Sequence, residues 1–243
     1  MDKAHKIFPL GDAAACIQWG QTIEESTSRK IISVYRQLRE SPFPGLKDLV
    51  PAYCSLSIYY DPLQVRKAQS KEGTIYDFVC CKLEDAIALS SDESEDSKQV
   101  FRVPVCYEPE YGPDLESICN MKRLEREEFI RIHTDSVYRV YMVGFLPGFT
   151  YLGTLDDRIR VQRKDQPVLV EAGSIGLAGY QTGIYPFSSP GGWQIIGRTP
   201  LRFFEPYAEV PVRLQMGDQV KFYPITGLEM REWKLQAETE SAN

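Results

Sequence analysis

The chain has 243 residues, 43% of them hydrophobic and 26% charged, with a formal net charge of -6 at pH 7. This is the balance of an ordinary globular protein, long enough for one large or two modest domains. It excludes nucleic acid as the main partner: phosphate binding needs a concentrated basic face, and the densest basic run here, Lys122-Arg123 to Arg126, is broken by Glu125 and followed by Glu127 and Glu128.

The first six residues, Met1-Asp2-Lys3-Ala4-His5-Lys6, are polar, and no apolar run is long enough to span a bilayer, so no membrane association and a cytoplasmic location are expected. Cys16, Cys54, Cys80, Cys81, Cys106 and Cys119 form no C-x-x-C pair and have no His at zinc-ligand spacing. They read as reduced, structural thiols, and no metal site is expected.

In chain order, Ala13 to Trp19 reads as a strand, entered through Gly11-Asp12 and closed by Gly20. Ile23 to Glu40 carries Ile31, Val34, Tyr35 and Leu38 as one helical stripe, stopped by Pro42 and Pro44-Gly45. Leu46 to Val50 and Cys54 to Tyr60 follow as strands joined at Pro51-Ala52, with Asp61-Pro62 ending the second. Thr74 to Leu89 reads as a helix. Residues 1–89 therefore predict a small α+β domain.

Residues 90–99, Ser-Ser-Asp-Glu-Ser-Glu-Asp-Ser-Lys-Gln, contain no apolar side chain and predict an acidic linker. Beyond it, Val100 to Cys106 predicts a strand, and Asp114 to Asn120 and Glu125 to Thr134 predict short helices. From Val137 short strand-like runs alternate with Gly and Pro, the texture of a compact β-barrel spanning residues 100–243.

The most informative stretch runs from Tyr141 to Pro200. It holds Gly144-Phe145-Leu146-Pro147-Gly148-Phe149-Thr150-Tyr151-Leu152-Gly153, then Ala172-Gly173-Ser174-Ile175-Gly176-Leu177-Ala178-Gly179, then Gln181-Thr182-Gly183-Ile184-Tyr185-Pro186. It closes with Ser189-Pro190-Gly191-Gly192-Trp193-Gln194-Ile195-Ile196-Gly197-Arg198-Thr199-Pro200. Glycines at this density permit close backbone approach and can leave N–H groups free to line a concave site. The structural alternative is that they shape tight barrel corners.

These motifs resemble the family of 5-oxoprolinase B subunits, whose members also carry the names allophanate hydrolase subunit 1 and sporulation-kinase inhibitor. The carboxyltransferase domain of urea carboxylase is related. The resemblance extends from Phe8-Pro9-Leu10-Gly11-Asp12-Ala13 to about Phe222. It takes in Val50-Pro51-Ala52-Tyr53, Asp61-Pro62, Tyr111-Gly112-Pro113-Asp114-Leu115, and His133-Thr134 leading into Tyr138-Arg139-Val140-Tyr141. It implies a small α+β domain followed by a cyclophilin-like β-barrel. It also implies ATP-dependent opening of a lactam, with ATP at a site shared with a partner. The implied partners are the 5-oxoprolinase C subunit, of the allophanate hydrolase subunit 2 type, and the 5-oxoprolinase A subunit. Kinase inhibition, as a binding module, and carboxyl transfer to urea-like amides are the alternative activities it implies. The chain departs from the family pattern at Tyr180, where a glycine is usual, at Glu171, where a proline is usual, and at Val168, where Arg is common.

Candidate site residues follow from chemistry. His133, one of two histidines, suits general acid or base work, or the C-terminal end of its helix. Arg198 suits a carboxylate or phosphate, unless Glu205 or Asp218 pairs with it. Gln181, Thr182 and Gln194 suit recognition of a small amide, and Phe149 the core or a pocket wall. Ser174 lies outside any G-x-S-x-G elbow, and no G-x-x-x-x-G-K-[ST] loop, kinase signature or H-E-x-x-H motif occurs.

Overall fold

The computed structural model describes residues 5–69, 73–90 and 100–241. The chain divides into two compact units, Met1–Asp96 and Ser97–Asn243. Of the expected acidic linker, residues 91–99 lie outside the described residues.

The first unit is a four-stranded antiparallel sheet in the order β1-β2-β4-β3, built from β1 (Lys6–Pro9), β2 (Ala14–Gln18), β3 (Leu46–Pro51) and β4 (Ser55–Tyr60). Helices α1 (Glu25–Glu40) and α3 (Ile75–Leu89) pack on it. Its core gathers Ile17, Leu56 and Ile58 from the sheet with Ile31, Val34, Leu38, Val79 and Leu83 from the helices. The first strand, Lys6-Ile7-Phe8-Pro9, is not anticipated from the sequence. Helix α2 (Pro62–Ala68) starts where the sequence pattern predicts only a strand stop. The Asp61 side chain accepts from Leu63 N and Gln64 N at 2.9 and 3.2 Å, and Pro62 supplies a first helical residue that needs no N–H partner. At α3, Thr74 and Asp77 form a capping box.

The second unit contains a closed seven-stranded barrel. Its strands are β5 (Phe101–Cys106), β6 (Tyr138–Val143), β7 (Thr150–Gly153), β9 (Ser174–Ala178), β10 (Gln181–Ile184), β12 (Gln194–Arg198) and β13 (Gln219–Ile225). They close in the order β10-β7-β6-β13-β5-β12-β9, with β13 and β5 parallel and the other pairs antiparallel. A separate ribbon pairs β8 (Val168–Val170) with β11 (Ser189–Gly191). This is the α+β architecture with a barrel that the resemblance implies.

The barrel is filled by its own side chains. Val103, Val140, Leu152, Ile175, Leu177, Ile184, Ile196 and Phe222 meet inside it, joined by Ile118 from α4 (Leu115–Lys122) and by Phe129 and Ile132 from α5 (Arg126–Asp135). An open, amide-lined interior is therefore ruled out, and Gly176 and Gly183 serve packing. A Cβ at Gly183 would stand 2.8 Å from the Trp193 ring, and one at Gly176 2.9 Å from Trp193 Cβ. Helix α6 (Gly227–Ser241) is not anticipated from sequence because it carries little apolar periodicity. Its signal is the capping box Thr226-x-x-Glu229, in which Thr226 N donates to Glu229 Oε2 at 2.7 Å and Glu229 N donates to Thr226 Oγ1 at 3.2 Å. Met230 buries the helix against Cys106 and Tyr111.

All six cysteines are free thiols. Cys81 is exposed on α3, so its reading as a packed structural residue is corrected.

Candidate functional site

Strand alternation sorts the candidate residues onto two faces of the barrel wall. Thr182 pairs with Leu152 and Leu177, both core residues, so its side chain points inward. Its neighbour Gln181 points outward. Adjacent strand residues cannot address one small amide, and the joint role expected for Gln181 and Thr182 is corrected.

His133 also belongs to the interior. It is fully buried, stacked on Phe222 at 4.7 Å between ring centroids. Its Nδ1 is 2.8 Å from Tyr107 OH and its Nε2 is 3.2 Å from Thr182 Oγ1. One ring nitrogen donates and the other accepts, so the neutral imidazole is satisfied on both sides. Burial lowers its pKa to about 3, because the cation would lose hydration with no carboxylate to replace it. A proton-transfer role at an accessible site does not fit this environment, nor does a charged cap on the end of α5. His133 and Thr182 are a satisfied polar pair of the core.

Phe149 is 2% exposed and packs outside the barrel against Tyr151, Tyr185 and Trp193, at 4.5, 4.8 and 5.4 Å between centroids. It supports the wall and offers almost no surface to a ligand. Arg163 lies beside this cluster, its guanidinium about 3.5 Å from where a Gly192 Cβ would be. Burial pushes the Tyr151 and Tyr185 hydroxyls up in pKa, and the Arg163 charge works against that rise. The segment carrying Arg163 is pinned by three contacts. Lys164 N donates to Gly192 O at 2.7 Å, Gln194 Nε2 donates to Gln162 O at 3.2 Å, and Lys164 Nζ pairs with Asp114 Oδ2 at 2.6 Å. The side-chain amide of Gln194 is thus engaged in fastening this segment.

Arg198 sits differently. A bulge between Ile195 and Gly197 turns Ile196 and Gly197 to the core and Arg198 to the outer face, opposite Ser174 on β9. Its guanidinium carbon lies 5.7 Å from the Tyr111 ring centroid. No ion pair between Arg198 and a carboxylate is found among the described residues, and Asp218 Oδ2 accepts from Gln215 N at 2.8 Å. The internal ion pair weighed from sequence is not formed. Gly173, at φ +78°, passes beneath the Arg198 stem, where a Cβ would clash with Thr199 O and lie 3.4 Å from Arg198 Cγ.

Tyr111, Arg163 and Ser174 are the outer-face residues that sequence reasoning did not select. Tyr180, where the family usually has glycine, is 60% exposed and stacked under Arg160 at 4.2 Å. On the first unit, an open groove of about 950 Å³ is lined by His5, Gln18, Tyr76, Cys80 and Glu84 among others. Its His5–Glu84 pair, 3.0 Å apart, bridges one wall, and the groove collects none of the candidate residues. Among the described residues no group of His, Cys, Asp or Glu could hold a metal, and no helix is long and apolar enough to cross a membrane.

Residues 5–214 match the family described as carboxyltransferase domain, subdomain C and D. The 5-oxoprolinase B subunit of Bacillus subtilis (strain 168) is 40% identical over 237 residues, which is 96% of this chain and 98% of that protein.

The chain belongs to the family of 5-oxoprolinase B subunits.

Among solved structures related to the family, the protein TTHA0988 superposes with a TM-score of 0.76 at 32% identity, covering 88% of this chain and 40% of its own. The Kluyveromyces lactis urea carboxylase matches at TM-score 0.73 and 18% identity, over 94% of this chain and 22% of its own, a likeness in fold alone. This chain therefore spans less than half the length of either solved relative. Arg198 is an outer-face cation with no carboxylate partner among the described residues, in contrast to Lys164, which Asp114 holds.

Proposed function

We propose that this chain is the B subunit of an ATP-dependent 5-oxoprolinase, converting 5-oxo-L-proline, ATP and water to L-glutamate, ADP and phosphate only when its partner subunits are present. The observation that carries this reading is 40% identity to the Bacillus subtilis protein of that name over nearly the full length of both chains. A five-membered lactam resists direct hydrolysis. Transfer of the ATP γ-phosphoryl group to the lactam oxygen makes the ring carbon electrophilic. Water then adds, the C–N bond breaks with the nitrogen taking a proton, and phosphate leaves.

In this reading Arg198 holds an anionic group of the substrate on the outer face, and Gln181 lies on the same face as a candidate amide contact. ATP is a substrate of the assembly, and with no P-loop in the sequence we place its pocket in common with a partner. The partners are the 5-oxoprolinase C subunit, of the allophanate hydrolase subunit 2 type, and the 5-oxoprolinase A subunit. The exposure of the apolar side chains Phe145 (81%), Leu169 (71%) and Tyr207 (100%) accords with assembly. So does a barrel whose own interior has no room for a substrate.

Co-expression with the companion subunits, followed by assay of 5-oxoproline-dependent ATP hydrolysis, tests the proposal. Activity with all three chains and its loss on omitting this one is expected. No lactam-dependent hydrolysis from the complete set would overturn it. The match to a carboxyltransferase domain motivates a second reading, carboxyl transfer to a urea-like amide. That reading requires a biotin-bearing partner, and avidin-insensitive activity of the assembly would eliminate it.

A further inference from the structure

Among the described residues, Arg198 Nε and Ser174 Oγ are buried donors on the outer wall of the barrel that have no hydrogen-bond partner. They belong to directly opposed residues of β12 and β9, whose side chains leave the sheet on the same side. Ser174 is 1% exposed, while Arg198 is partly exposed, so the pair lies just beneath the surface. Buried donors are satisfied in the great majority of folded proteins, and an unsatisfied pair on neighbouring residues marks a position that an acceptor completes. The Tyr111 ring, under the Arg198 guanidinium, and Gly173, under its stem, hold the cation in place from two sides.

We infer that Arg198 and Ser174 form a carboxylate subsite. The inference rests on the reading of Arg198 given above and supplies its second donor and the class of its ligand. The Nε–Nη edge of a guanidinium presents two parallel N–H donors, and Ser174 adds one O–H donor from across the strand pair. Two in-plane oxygens of a carboxylate accept all three. A monoanion balances the Arg198 charge; Glu110 and Arg231, which also act on the Tyr111 hydroxyl, carry opposite charges. Phosphate, with a charge of about -2 and three terminal oxygens, would leave acceptors and charge unmatched. Ser174 contributes a hydrogen bond and no nucleophile, since among the described residues no base accompanies its hydroxyl.

The test titrates the full chain with sodium acetate, inorganic phosphate and 5-oxo-L-proline at constant ionic strength, following the Arg198 Nε–H resonance by NMR and the heat of binding by calorimetry. Acetate should shift that resonance saturably and bind more tightly than phosphate. Ser174→Ala should weaken acetate roughly tenfold or more, the usual effect of losing a hydrogen bond to a charged group. Arg198→Lys should bind no better than Arg198→Gln, because the ammonium lacks the paired N–H edge. Absence of a saturable shift, a preference for phosphate, or an unchanged Ser174→Ala would each overturn the subsite. Acetate binding without competition by 5-oxo-L-proline would uphold the subsite and count against the oxoprolinase reading. Lactam-dependent ATP hydrolysis by the assembly without acetate binding here would do the reverse.

Discussion

His133 Nε2 lies 3.2 Å from Thr182 Oγ1 inside the barrel, joining helix α5 to strand β10 through two residues 49 positions apart. With Tyr107 OH on the other ring nitrogen, both nitrogens of the buried imidazole are hydrogen-bonded within the core. This placement gives the fold a defined sensitivity to acid.

Burial lowers the His133 pKa to about 3, whereas in the unfolded chain it is near the ordinary value of about 6.5. A depressed folded pKa means that the unfolded state takes up the proton first. The stabilising contribution is fully present above about pH 6.5 and is lost progressively as pH falls toward 3. Over that window the loss should amount to a few kcal/mol, on the order of 1.4 per unit of pKa difference. Urea midpoints measured from pH 8 to pH 4 should fall more steeply in the wild type than in His133→Phe. Parallel slopes would show that the histidine does not titrate on unfolding.

Asp114 joins three parts of the second unit. Its Oδ2 accepts from Ile195 N and from Lys164 Nζ, both at 2.6 Å, and its own N–H donates to Ile195 O at 3.0 Å. Asp114→Ala strands the Ile195 donor and the Lys164 charge in a partly buried place, and should cost about 1–3 kcal/mol. Amide exchange should quicken at Ile195, and the segment around Lys164 should loosen with it. Unchanged exchange at Ile195 would contradict the arrangement.

Gly183 illustrates the packing use of the glycine-rich stretch. A Cβ there would meet Trp193 Cζ3 at 2.8 Å, Thr150 O at 2.9 Å and Phe149 Cε1 at 3.2 Å. Gly183→Ala should lower stability by about 1–3 kcal/mol through overpacking and disturb the near-UV signal of the aromatic cluster. Wild-type stability and spectrum in this variant would refute the packing account.

The thiols divide by burial. Cys81 is exposed, while Cys106 and Cys119 are buried and their pKa values are pushed up, chiefly by loss of hydration. Alkylation of the native chain at pH 8, read by peptide mass, should mark Cys81 first. Cys106 and Cys119 should react only after denaturant is added.

Much of the secondary structure was legible because its determinants are local. The stripe Ile31, Val34, Leu38 is a helix face wherever it occurs, and Asp61-Pro62 and Thr74 with Asp77 set helix starts within a few residues. The elements that escaped notice, β1, α2 and α6, are short or weakly periodic. Tertiary contacts, rather than their own pattern, carry them.

By itself the sequence determined the family, the α+β content, and the concentration of chemically distinctive residues between Tyr141 and Pro200. Barrel closure decided the rest. Whether Thr182 or Gln181 faces the core depends on strand register, which a one-residue slip would invert. The pairing of Arg198 with Ser174 joins positions 24 residues apart through a bulged antiparallel ladder. The withdrawal of His133 from chemistry follows from a helix packing over a filled interior. Each is a long-range relationship, in which the energy of burial in three dimensions outweighs anything the neighbouring residues prefer.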